Sequence, residues 1–172
     1  MQHSSATWTR LNSFMVTHNW WHLALFALDL GLDDLALQTF DQQVWGVVKS
    51  YSQDQIGAVS LLARLELAGV DVGARWQDVA DHIALRLDDQ VLPFLDLQYL
   101  YGLARAGRAD LVAQLCRDWS VFLDVGETTW PECWTGGTRC HGWSSTPSRD
   151  LIVHTLGIGP AEPGYAAVRV QP

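Results

Sequence analysis

The chain has 172 residues, about one domain, with 48% hydrophobic and 17% charged residues, a balance that excludes a disordered tail. Eleven Lys+Arg against nineteen Asp+Glu leave a net charge of −8, and Lys49 is the single lysine. Phosphate-backbone binding and polybasic membrane anchoring are therefore excluded as expectations.

The N-terminal Met1-Gln-His-Ser-Ser has no basic stretch leading into an apolar run, so no secretory signal is expected. The first periodic stretch predicts a helix over about 13–30, and Gly31 stands where a C-terminal glycine belongs. Its longest apolar run, Leu23 to Leu32, already contains Asp29 and leads into Asp33 and Asp34, too short and too charged to span a bilayer. Further helices are predicted over about 33–49, 54–69, 75–88, 92–106 and 109–118, with Gly69 and Gly107 as further terminators. Asp54 and Asp110 are read as caps of the third and sixth helices.

Composition then changes near residue 118. Residues 118–172 hold five of the six prolines and two of the three cysteines, with many Gly, Ser and Thr. They read as loop, a short helix at about 150–156, and a strand at about 167–170 after the Pro163-Gly164 turn signal. Cys116, Cys133 and Cys140 are odd in number and lack CxxC spacing, which points to reduced cytoplasmic thiols.

Two stretches carry possible chemistry. His18-Asn19-Trp20-Trp21-His22 puts two imidazoles at i and i+4 on one helical face, the spacing of a zinc site. Asn19 stands where a zincin needs its glutamate base, and no other ligand has supporting spacing, so no metal and no cofactor are expected. A packed helical interface filled by the two tryptophans is the favoured reading. The same helix begins a partial tetratricopeptide pattern, Trp20, Leu23, Gly31, Ala36 and Phe40, with Ala27 at the tyrosine place and Val48 at the proline place.

Phe14 to Phe26 with Leu30-Gly31, then Leu61 to Val79 with its Gly73-x-Arg75-Trp76 element, then Pro93-Phe-Leu-Asp-Leu-Gln-Tyr resemble the tetratricopeptide repeat protein 38 family over residues ~8–115. That resemblance implies an all-α fold of stacked antiparallel helical hairpins and a scaffold without an established reaction.

Residues ~119–172 resemble a different family. Thr128-Thr-Trp-Pro-Glu132-Cys-Trp134, Cys140-His-Gly-Trp-Ser-Ser-Thr-Pro147, Leu156-Gly-Ile-Gly-Pro and Val168-Arg-Val-Gln-Pro172 are similar, in this order, to the C-terminal end of the catalytic (α/α)6 barrel of bacterial α-L-rhamnosidases, glycoside hydrolase family 78. The resemblance implies Glu132 as general base, with His141, Trp143 and Trp134 binding sugar. Pro131 departs from the family pattern just before that glutamate.

An inverting glycosidase needs a second, protonated carboxyl about 6.5–9.5 Å from the base. No matching acid segment is present, and a barrel of six helical hairpins needs about 240 residues at roughly 40 per pair. The expectation is therefore a truncated or chimeric product: residues 1–117 a partial helical repeat region, residues 118–172 a partial barrel terminus, without catalysis of its own. The expected partner is a protein, or a second copy, in the helical grooves; rhamnose-containing carbohydrate is the other candidate, with no nucleic acid and no membrane. The alternative is the C-terminal part of a family 78 rhamnosidase that needs a partner for the rest of its barrel.

Overall fold

A computed structural model gives the fold of residues 5–145 and 147–171, and the chain is mostly helical. Two compact units are present, one ending at Ile83 and the other beginning at Ala84.

In the first unit a 3-10 turn, Ala6–Arg10, precedes α1, Ser13–Asp29. Asn12 caps α1, its side-chain oxygen accepting from the Met15 N–H at 2.9 Å. Helix α2, Asp33–Thr39, folds back on α1, which also packs on α3, Ser52–Leu67; α4, Arg75–Ile83, folds back on α3. Small side chains suit a close approach: Ala24, Ala27, Ala36 and Ala58 are buried, and Phe40 is fully buried as well. Complete burial of a ring like Phe40 contributes roughly 1.5–3 kcal/mol from the hydrophobic effect.

The second unit opens with a 3-10 stretch, Ala84–Asp89, followed by α5, Pro93–Arg105, α6, Ala109–Asp118, and the short α7, Ser120–Asp124. Pro93 starts α5, where its missing N–H costs nothing. A 3-10 turn, Gly142–Ser144, comes next, then α8, Pro147–Asp150, which runs into a π turn, Leu151–Thr155. Strands β1, Ile158–Pro160, and β2, Val168–Val170, pair antiparallel with Ile158 opposite Val170.

The three predicted helix-ending glycines behave alike. Gly31, Gly69 and Gly107 have φ of 69°, 85° and 74°, a left-handed conformation that costs other residues a Cβ clash. In each, the glycine N–H reaches back three residues and the following N–H five, as in Leu32 to Ala27, Val70 to Leu65 and Arg108 to Leu103. Gly126 closes α7 the same way, a fourth instance.

Several sequence expectations change. The predicted 33–49 helix stops early, because residues Phe40–Val44 form a π turn in which the Trp45 N–H donates to the Phe40 carbonyl. The extra residue turns Phe40, Val44 and Trp45 all into the core. Trp45 and Lys49 then both donate to Asp78 Oδ2, at 2.7 and 2.6 Å, fastening this exit to α4. The 75–88 helix ends at Ile83 and continues as 3-10. Neither predicted aspartate caps. Tyr51 and Arg108 hold the N-cap places without capping the helix through their side chains, Asp54 lies within the first turn of α3, and Asp110 pairs with Arg108 at 3.1 Å.

The composition change near residue 118 marks no break in packing. Trp119 and Phe122 join Leu97 of α5 in one buried cluster, with Trp130 and Trp134 against it. The π turn Leu151–Thr155 contacts α6. Among the described residues no helix is long and apolar enough to cross a membrane.

Candidate functional site

The predicted residues fall into two groups, one in each unit. His18, Asn19, Trp20, Trp21 and His22 occupy consecutive positions in the middle of α1. One turn of helix separates the two imidazoles, and their Nε2 atoms meet at 3.1 Å, so one donates to the other. The Trp21 ring stacks parallel to His18 at 5.8 Å and stands edge-on to His22 at 4.9 Å. Arg64 of α3 lies over the Trp21 ring, and Phe14 lies beside His18. Partial burial, and then the neighbouring His22, hold the His18 pKa below its ordinary value. Trp20 turns instead towards the 3-10 turn and meets Trp8 edge to face at 5.3 Å. Among the described residues no three His, Cys, Asp or Glu side chains converge as a metal cluster.

In the second unit Glu132 and His141 belong to the loop between α7 and the Gly142–Ser144 turn. Backbone bonds fold this loop on itself: Glu132 N–H to the Thr138 carbonyl at 2.8 Å, and His141 N–H to the Trp130 carbonyl at 3.0 Å. The buried Ser144 hydroxyl donates to the Pro131 carbonyl at 2.7 Å, and the Thr129 hydroxyl donates to the Arg139 carbonyl. Thr138 joins the two predicted groups. Its N–H and hydroxyl both donate to Glu132 Oε2, at 3.2 and 3.1 Å, and His141 Nδ1 lies 2.8 Å from the hydroxyl oxygen. The direct His141–Glu132 separation is 3.9 Å. The Thr138 bonds, with His141 adding to them, hold the Glu132 carboxyl below its usual range, so it stays ionised and is a weak proton acceptor.

The tryptophans of the tail divide. Trp134 stacks on Phe122 at 5.1 Å, stands edge-on to Trp119, and donates its Nε1–H to Asp96 Oδ2 at 2.6 Å. One face and the polar edge of this predicted sugar-binding ring are thus used inside the fold. Trp143 lies in the Gly142–Ser144 turn, and its side chain lies outside the described residues.

Two buried carboxyls were missed as chemical groups. Asp96 is 2% exposed, and burial pushes its pKa up to about 6 despite the Trp134 bond. Asp54, also buried, has a raised pKa for the same reason, opposed by its bonds to Thr17 and Ser13; the Thr17 hydroxyl donates to Oδ1 at 2.7 Å. A signal for both was present. Asp54 heads the stripe Ala58, Leu61, Leu65, and Asp96 heads the stripe Leu100, Leu103, each a charge at a position whose helical neighbours are all core. The first turn of a helix suits such a group, since the N-terminal dipole offsets part of its desolvation.

Comparison with protein-family models and with solved structures finds no match for this chain.

Proposed function

We propose that the protein is a helical interaction scaffold of the tetratricopeptide repeat protein 38 type, without catalysis of its own. The observation that carries this reading is the apolar cluster around the Gly31 turn. Phe26 is 50% exposed, Leu30 74%, and Leu32 and Leu35 both nearly half. These side chains lie at the turn of the α1–α2 hairpin, and an exposed apolar group of this kind is a surface for protein contact. Glu132 supports the same reading, because its carboxylate is engaged by Thr138 rather than left to activate water.

Sedimentation velocity over a hundredfold concentration range tests it. Reversible self-association is expected, and Leu30→Asp should weaken it tenfold or more. A wild-type monomer at every concentration that also ignores amphipathic helical peptides would overturn the scaffold reading.

A second reading keeps the family 78 resemblance: residues ~119–172 supply the base of an inverting α-L-rhamnosidase whose remaining barrel comes from a partner. It is supported by one loop bringing Glu132 and His141, the residues that the resemblance assigns to the base and to sugar binding, within 3.9 Å of each other. Hydrolysis of an aryl α-L-rhamnoside, assayed with the protein alone and mixed with a chain supplying the rest of such a barrel, separates the two. The first reading expects none in either case; activity in the mixture that disappears with Glu132→Gln would establish the second.

A further inference from the structure

We propose that His18 and His22 form a two-imidazole chelating site on α1 for a late first-row divalent cation, of the Zn²⁺, Ni²⁺ or Cu²⁺ class. Metal–nitrogen bonds of about 2.0–2.1 Å meeting at roughly 90–110° put two ligand nitrogens about 2.9–3.4 Å apart. The Nε2 atoms stand 3.1 Å apart. Helical spacing alone fixes only that the side chains share a face; it does not bring the same nitrogen of each ring to a common point.

The rings are also held. His18 has Phe14 on one side and Trp21 parallel on another, and Trp21 is itself in edge contact with His22 and covered by the Arg64 guanidinium. Little rotamer freedom remains to be lost when a metal arrives. Binding replaces the hydrogen bond between the rings: the imidazole carrying its proton on Nε2 moves it to Nδ1 through solvent, and both Nε2 lone pairs go to the metal. No net proton is released.

The donor set selects the cation class. Two neutral imidazoles suit Zn²⁺, Ni²⁺ and Cu²⁺, with Cu²⁺ tightest, whereas Mg²⁺ and Ca²⁺ require oxygen ligands. Water, or a donor from a bound partner, completes the coordination, since His22 is exposed. Asn19, in the place of a general base, makes this a binding site rather than a hydrolytic one.

Isothermal titration of the whole protein with NiCl2, ZnCl2 and MgCl2 at pH 7.5 tests the proposal. One Ni²⁺ or Zn²⁺ per chain is expected, at least tenfold weaker in His22→Gln and in His18→Ala, with no heat from Mg²⁺. His22 is exposed, so His22→Gln keeps the fold even where His18→Ala, which empties a packed position, does not. Absence of binding in the wild type, or wild-type affinity in His22→Gln, overturns the site.

Discussion

Asp96 is the residue whose chemistry and packing pull in opposite directions. Trp134 donates to its carboxylate, which favours the charged form, yet burial beside the aromatic cluster raises the pKa from 3.8 to about 6. The native state therefore holds a proton between those two values that the unfolded chain releases. Stability from this group is complete below pH 4 and is lost as pH rises through 6. By linkage the loss is at most about 3 kcal/mol. Asp96→Asn removes the titration but keeps an oxygen for the Trp134 N–H. Urea unfolding should show the variant more stable than wild type by about 1–2 kcal/mol at pH 8, with the gap closing towards pH 4. Parallel stability curves over that range would show that the carboxyl is solvated. Trp134→Phe works in reverse. It keeps the ring on Phe122 but strips the donor from a buried carboxylate, so a loss of about 1–3 kcal/mol at pH 8 is expected.

Among the elements, the two kinds of helix end make different demands on glycine. Gly31 needs its left-handed φ and has open space around it, so Gly31→Ala should cost about 1–2 kcal/mol from backbone strain alone. Gly46 has an ordinary φ, but an added Cβ would lie 2.5 Å from the Asp41 carbonyl at the end of the π turn. Gly46→Ala must displace backbone and should cost more, about 2–4 kcal/mol, read as a larger fall in urea midpoint. Equal losses would mean that the π turn opens easily. The difference also explains what was legible in advance. Gly31, Gly69 and Gly107 follow apolar runs of period 3.6, and so disclosed three hairpins. A π turn leaves no such trace, because one inserted residue shifts the apolar stripe by about 100° and resembles a continuing helix. The same limit applies to the candidate sites. His18 and His22 could be placed on one face by spacing, but the bridging of Glu132 and His141 by Thr138 depends on a loop closed by backbone bonds that no periodicity announces. Asp54 and Asp96 were visible as charges within apolar stripes, and only packing shows them sealed from water.

For the whole molecule, composition and packing disagree about where the chain divides, and the packing has the stronger physical claim. A composition change records which residues fill a segment; a compact unit records which side chains exclude water together. Trp119 is 1% exposed, meets Phe122, Trp130 and Trp134 edge-on, and shares a cluster with Leu97 of α5. Aromatic pairs of this kind add about 0.5–1.5 kcal/mol each beyond their buried area. Ending the chain at Asp118 would remove this cluster from α5 and leave Asp96 without its donor. Starting it at Ala84 keeps the cluster, the Gly107 hairpin and the β1–β2 pair together. Residues 84–172 alone should therefore show near-ultraviolet dichroism from immobilised tryptophans and a cooperative thermal transition. Residues 1–118 should retain a native first unit while α5 and α6 lose hydrogen-exchange protection. Strong protection of α5 in the 1–118 chain, or a featureless tryptophan spectrum from 84–172, would return the boundary to the place where the composition changes.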